Sequence, residues 1–287
     1  MRGIILAGGT GSRLHPLTRA ISKQLLPVYN KPMIYYPLCT LMLAGIREIL
    51  IVTTGRDQHL FQELLGDGSH FGLEIEYVIQ HSPKGIVDGL LLGEDFANGG
   101  NIALILGDNI FYGTGVGESL GAYSAASGAT VFAQRVTDPS RYGVVELDSL
   151  GKPLKLQEKP ETPGSDLAVT GLYFFDHTAF ARAKTIKPSV RGELEITDLN
   201  QSYLDSKALN VVSLPRGTAW LDTGTIESLA EASEFVKVVE SRQGFRIACP
   251  EEIAWRYGYL DDQQLENLAS SYGSGGYSRY LLSLLEK

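Results

Sequence analysis

Apolar residues fall in short runs, and the stretches between them carry helical periodicity. Ile4-Ile5-Leu6-Ala7 has no polar face, and neither does Ile49-Leu50-Ile51-Val52. Glu74 to Gln80, Ile102 to Leu106 and Thr130 to Val136 read as further strands by length and pattern. Residues 57–65, 86–97 and 116–127 read as helices. Pro32 suits the first turn of another helix and Gly45 its C-terminal stop, with Ile34, Leu38 and Leu41 on one face. Strands apolar on both faces and separated by helices predict an α/β fold. The expected core is a doubly wound, mostly parallel, Rossmann-like sheet with helices on both faces. Ligands of such sheets bind beyond the carboxyl ends of the strands, so chemistry is sought there.

The pattern changes after about residue 137. Gly143 to Leu147 and Lys155 to Glu158 read as a hairpin around Ser149-Leu150-Gly151, and Ala168 to Phe175 as another strand. This β insertion is expected to cover the substrate site. From Thr225 the chain is mainly helical. The expected organisation is a core over 1–224, with 137–224 as its substrate-binding section, and a helical region over 225–287. The apolar stripe of Tyr280 to Leu285 suits an oligomer contact and intramolecular packing equally.

Composition narrows the function classes. The 287 residues are 44% hydrophobic and 20% charged, as in an ordinary globular chain. The net charge of −8, from 25 basic and 33 acidic residues, argues against a nucleic-acid or membrane-surface partner. Cys39 and Cys249 are too few for a disulfide framework or a zinc cluster. No window approaches the ~18 apolar residues of a membrane span. The N-terminal apolar stretch is too short for a signal peptide, so a cytoplasmic protein is expected.

The sharpest chemical signal follows the first strand, in Leu6-Ala7-Gly8-Gly9-Thr10-Gly11-Ser12-Arg13-Leu14. Glycines let a backbone approach a ligand closely, and free N–H groups in such a turn form an anion nest. Arg13 adds a planar cation suited to phosphate, with Lys23 near it in sequence. Two familiar phosphate loops are absent. No Gly-Lys-Ser or Gly-Lys-Thr is present, and Leu14 stands where a dinucleotide fingerprint needs its third glycine. Asp108 closes the apolar run at Leu106-Gly107, and Asp222 lies at a similar edge before Gly224. Each alone reads equally as a cap or a metal ligand; as a pair they suit Mg²⁺, which takes one or two carboxylates plus substrate phosphates.

Gly8-Gly9-x-Gly11-x-Arg13-Leu14 followed by Lys23-Gln24-Leu25-Leu26-Pro27-Val28 resembles the opening signature of sugar nucleotidylyltransferases. Six further segments extend the likeness in order: Leu106 to Asn109, Arg141 to Val145, Glu158 to Pro160, Val169 to Tyr173, Arg191 to Asp198 and Trp220 to Thr225. Together they resemble the glucose-1-phosphate thymidylyltransferase family along the whole chain. The resemblance implies transfer of a thymidylyl group from dTTP to glucose 1-phosphate with Mg²⁺, opening dTDP-deoxysugar synthesis such as that of dTDP-rhamnose. It also implies a homotetramer, with feedback by a dTDP-sugar. A uridylyltransferase, a different sugar phosphate or a non-catalytic sugar-nucleotide binder are the alternatives. Leu14 weakens a dinucleotide-dependent oxidoreductase.

The resemblance also implies roles. Arg13, Lys23, Asp108, Lys159 and Arg191 would be catalytic. Leu6, Gly8, Gly9, Thr10, Gly11, Gln24, Gln80, Pro83 and Gly85 would join Arg13, Lys23 and Asp108 around the nucleotide. Asn109, Tyr142, Gly143, Glu158, Lys159, Val169 and Arg191 would hold the sugar phosphate. Asp108 and Asp222 would hold the metal. Arg216, Arg242, Arg246, Ala248, Cys249, Glu252, Ile253 and Arg256 would belong to a regulatory site. One stretch departs from the family pattern: after Pro83 it would continue Asp-Gly-Leu-Ala-Gln-Ala, and this chain has Lys84-Gly85-Ile86-Val87-Asp88-Gly89.

Overall fold

A computed structural model describes residues 1–113, 116–123 and 127–286. Its centre is a nine-stranded sheet. Arg2–Leu6 lies inside it, parallel to Glu48–Thr53 on one side and to Ile102–Leu106 on the other. Glu74–Ile79 extends the parallel set beyond Glu48–Thr53. Ile4, Ile5, Ile49, Ile51, Ile105 and Leu104 are fully buried, as strands covered on both faces require.

The order beyond Ile102–Leu106 differs from a simple parallel series. Leu167–Phe175 inserts there, antiparallel, and Ala129–Arg135 pairs with its other side. Leu209–Ser213 then adds in parallel to Ala129–Arg135. The hairpin Gly143–Leu147 with Pro153–Glu158 joins through Ala168 and Val144. The strands after residue 137 are therefore continuous with the core sheet. All nine residues of Leu167–Phe175 are buried, because this strand is the seam between the two halves.

Local signals explain the helix boundaries. The helix expected from Pro32 starts instead at Tyr35, since Lys31–Pro32 pairs with Pro27–Val28 as a short two-stranded turn. It ends as expected at Gly45. The Gly45 N–H donates to the Met42 carbonyl and the Ile46 N–H to that of Leu41, the paired bonds of a Schellman stop. The helix expected over 86–97 is two, Ile86–Leu91 and Glu94–Ala97. Of the helix expected over 116–127, Glu118–Gly121 is described, and 124–126 lie outside the described residues.

After the last strand, Ala219–Asp222, four helices follow: Ile226–Gln243, Pro250–Arg256, Asp262–Ser271 and Gly276–Leu285. Leu281 and Leu284 of the last helix bury against Leu265, Ala269 and Cys249, so this stripe packs within the chain.

Candidate active site

A cavity of about 370 Å³ opens at the carboxyl ends of the parallel strands. Every predicted nucleotide contact, from Leu6 through the glycine loop to Asp108, lies on its wall. Glu158, Lys159 and Arg191 close it from the opposite side. Residues more than 180 positions apart thus face one space, and no histidine stands among the described lining residues.

The glycine loop is shaped by backbone geometry. Gly9 and Gly11 hold φ values of 112° and 57°, which side-chain-bearing residues rarely adopt. The Thr18 hydroxyl donates to the Gly11 carbonyl at 2.7 Å and fixes the turn. A three-residue 3-10 turn, Ser12–Leu14, buries Leu14 and leaves Arg13 exposed. No hydrogen bond or ion pair joins the Arg13 guanidinium to another described residue.

Asp108 follows Ile102–Leu106 directly, and its carboxylate meets the Lys23 ammonium and accepts from the Asn109 amide at 3.0 Å. Burial opposes its ionisation, but the Lys23 charge and these hydrogen bonds outweigh that and hold its pKa below the ordinary value. Asp222 arrives from the other end of the chain. Ala219–Asp222 pairs antiparallel with Asn109–Tyr112, setting Asp222 opposite Asn109. The Thr223 hydroxyl and N–H both donate to the Asp108 carbonyl, at 2.9 and 3.1 Å, and lock the two edges together. Burial raises the Asp222 pKa and the Asp108 charge adds to it, against the Tyr142 hydroxyl, Arg141 and Arg13. Two carboxylates whose charges oppose each other are a place that favours a cation.

Asn109, expected to touch sugar, is only 3% exposed. Its carbonyl accepts from the Trp220 indole at 2.5 Å and the Gly171 N–H at 3.1 Å, which leaves its NH₂ for Asp108. It orients the Asp108 carboxylate and does not line the cavity. A side chain at 171 would sit 2.6 Å from this amide oxygen, which explains the glycine in Val169-Thr170-Gly171. Tyr142, Gly143 and Val169 also stand behind the wall. The Tyr142 hydroxyl donates to Asp222 at 3.0 Å and its ring lies 5.0 Å from that of Trp220. Burial, with the Asp222 charge, pushes its pKa up to about 12, so the phenol stays a donor.

The opposite wall is a charged network. Glu158 accepts from the Thr197 hydroxyl at 2.5 Å and from Arg191 at 3.3 Å. Arg191 also reaches Glu195 at 2.8 Å. Lys159 has a left-handed backbone, φ 43°, with its N–H donating to the Tyr142 carbonyl at 3.0 Å. Glu193, Glu195 and Ile196 on the wall were not singled out in the sequence. They lie inside the Arg191 to Asp198 segment, where a search for phosphate cations passes over carboxylates.

Residues 2–238 match the family model described as nucleotidyl transferase. This chain belongs to the nucleotidyl transferase family. It is 55% identical over all of its length to the glucose-1-phosphate thymidylyltransferase of Mycolicibacterium smegmatis, and 55% identical to that of Neisseria meningitidis, each covered in full. Among solved structures it is similar to a putative glucose-1-phosphate thymidylyltransferase from Bacillus anthracis bound to sucrose. That match has a TM-score of 0.76 and 41% identity, over 82% of this chain and 94% of that one. A UDP-glucose pyrophosphorylase bound to UDP-glucose matches with TM-score 0.73 and 25% identity, over 83% and 98%.

This nucleotidyl transferase has a second cavity of about 510 Å³, lined by Arg246, Ala248, Cys249, Glu252, Ile253 and Arg256 together with Phe111 and Tyr112. Arg216 and Arg242 are exposed and lie outside its lining. Arg246 is held by Glu240 at 2.6 Å, and Arg256 by Glu252 at 2.8 Å. Cys249 is buried, which raises its thiol pKa well above the ordinary value.

Proposed function

We propose that this protein transfers the thymidylyl group of dTTP to α-D-glucose 1-phosphate, giving dTDP-glucose and pyrophosphate. The observation that carries this reading is one cavity with an anion-binding loop and an unpaired Arg13 on one wall, and Lys159, Arg191 and Glu158 on the other. Triphosphate and sugar phosphate would enter from the two sides. The carboxylate of Glu158 suits paired sugar hydroxyls.

Asp108 and Asp222 fit a magnesium ion. Among the described residues no three metal-ligating side chains converge, so substrate oxygens would complete the shell, as Mg²⁺ commonly allows. When bound, the ion supplies charge neutralisation at the phosphates. The rest is done by the chain. Arg13 and Lys23 bind the triphosphate and stabilise the leaving pyrophosphate. Lys159 and Arg191 orient the sugar phosphate, one of whose oxygens attacks the α-phosphorus as the bond to the β-phosphate oxygen breaks. That oxygen is already ionised near neutral pH, so no general base is needed, and positioning and electrostatics carry the rate.

The test is pyrophosphate release with glucose 1-phosphate and Mg²⁺, comparing dTTP with UTP. Strong preference for dTTP is expected. Preference for UTP would make this a uridylyltransferase, and no release with either would remove catalysis from the reading. A nucleotidyl adduct trapped without sugar phosphate would overturn direct displacement. The second cavity is proposed to bind a dTDP-sugar as feedback inhibitor within a homotetramer.

A further inference from the structure

The stretch that departs from the family pattern sets a carboxylate, Asp88, against Gln80 on the wall of the first cavity. Gln80 follows the strand Glu74–Ile79, and its N–H donates to the Thr53 carbonyl at 2.8 Å, so its backbone is fixed by the sheet. Its side-chain amide has two ends. The Nε2 end donates to the Asp88 carboxylate at 2.7 Å. The Oε1 end lies over Gly8, so close that a side chain there would stand 2.7 Å from it. Gly8 and Gln80 both line the cavity.

Asp88 is itself held in place. It sits in the first turn of the helix Ile86–Leu91, whose Val87 N–H donates to the Leu194 carbonyl at 3.2 Å. The Leu194 N–H donates back to Lys84 at 2.7 Å. The helix start is thus pinned to the segment that carries Arg191 and Glu195.

A glutamine amide alone is ambivalent. It can accept from an imide N–H and donate to the adjacent carbonyl, or turn over and donate to a ring nitrogen while accepting from an amino group. A carboxylate only accepts, so Asp88 compels Nε2 to face it and Oε1 to face away. We propose that Asp88 is a positioning residue that locks the Gln80 amide with its oxygen toward the nucleotide, and so selects imide pyrimidines over aminopyrimidines. Thymine and uracil offer N3–H beside a carbonyl. Cytosine offers a bare N3 beside an amino group, and the locked amide mismatches both. Sites built around a specific hydrogen bond reject the wrong partner strongly, because buried polar groups are then left unpaired. The inference rests on the proposed nucleotidyl transfer and on Gln80 facing the base.

The experiment measures kcat/KM for dTTP and dCTP, with saturating glucose 1-phosphate and Mg²⁺, in the native protein and three variants. Asp88→Asn keeps the shape but both donates and accepts, so Gln80 can turn over. The dTTP to dCTP ratio should fall roughly tenfold or more, with the KM for glucose 1-phosphate unchanged. Asp88→Glu, an acceptor only, should keep the ratio near native, which a merely structural role would not require. Gln80→Ala should lower the ratio as well. If Gln80→Ala lowers it and Asp88→Asn leaves it intact, Gln80 reads the base and the lock is refuted. If Gln80→Ala leaves it intact, base reading by Gln80 falls and the lock with it. An Asp88→Glu variant as unselective as Asp88→Asn also overturns the lock.

Discussion

Arg13 and Arg246 belong to regions that use charge in opposite ways. Around the first cavity the Arg13 guanidinium lies near Gly224 and favours the charge on Asp222, but makes no ion pair with any described residue. Around the second, Arg246 and Arg256 are already neutralised by Glu240 and Glu252. Glu240 is the hub of that second region. Its carboxylate takes Lys31 and Asn30 at 2.7 Å, Arg246 at 2.6 Å and the Ile247 N–H at 3.0 Å, with only 3% of its side chain exposed. It ties the helix Ile226–Gln243 to the N-terminal turn. Ion pairing alone does not separate the two regions, since Arg191 on the first cavity also meets Glu158 and Glu195. What differs is that the buried Glu240 carboxylate ties Arg246 to Lys31 and so to the fold, whereas the Arg13 guanidinium meets no carboxylate at ion-pair distance.

The contrast predicts where substitutions act, with the largest effect on turnover at the first cavity. Asp108→Asn should lower kcat on the order of 10³-fold while thermal melting stays native-like, since preorganised charge in a dry site carries much of the rate. Near-native turnover would take Asp108 out of the catalytic set. Arg13→Ala should cost on the order of 10²-fold in kcat/KM, with kcat falling and not KM alone. A pure rise in the dTTP KM would assign Arg13 uniform binding.

On the other side, Glu240→Gln should act on stability. Breaking a buried ion pair leaves Lys31 and Arg246 uncompensated and costs about 3 kcal/mol or more, roughly 10²-fold in the folding equilibrium. Denaturant unfolding should show it, while the folded fraction keeps its turnover. The same carboxylate makes a pH signature. Burial opposes its charge, but Lys31, Arg246 and Asn30 hold its pKa below the ordinary 4.5. Its contribution is therefore complete above that value and is lost as pH falls toward the folded pKa. Asp222 shifts the other way, above its ordinary value, because burial and the Asp108 charge disfavour its ionisation, so its protonation should give turnover an acid limb of its own. Added Mg²⁺ should move the acid limb of the rate profile to lower pH, since metal and proton compete for the same oxygens. An acid limb that coincides with unfolding and ignores Mg²⁺ would separate Asp222 from the metal.

Much of the first cavity was legible because its chemistry is local in sequence. The glycine loop and the Leu106 to Asn109 edge each sit at the end of an apolar run, such runs announce parallel strands, and Lys23 lies only nine residues after the loop ends at Leu14. The strand order was not legible. Periodicity gives Leu167–Phe175 as a strand but not that it enters between Ile102–Leu106 and Ala129–Arg135. Nor does sequence show that Asn109 spends its amide on Asp108 and Trp220, since the partner lies 111 positions away. Glu240 was missed for the same reason. A lone glutamate in a helix reads as solvated, and its four donors come from the chain turn near Asn30 and from residues beyond the helix.

The smallest effect expected is at Arg256, where the contrast is easiest to break. Its ion pair with Glu252 is an (i, i+4) contact whose arginine end is 56% exposed and whose glutamate end is only 12% exposed, and Glu252 also accepts from the Tyr280 hydroxyl at 2.5 Å. Arg256→Ala should change stability by about 0.5 kcal/mol or less, because such surface pairs are screened by water. Basal turnover without any added dTDP-sugar should stay within roughly twofold of native by the same reckoning. Neither Asp108 nor Asp222 lines the second cavity, and its arginines are paired with Glu240 and Glu252. A tenfold loss of basal turnover at native-like stability would mean that the helix Pro250–Arg256 is coupled to the reacting groups. The contrast between Arg13 and the paired arginines of the second region would then be wrong at the place where it demands least.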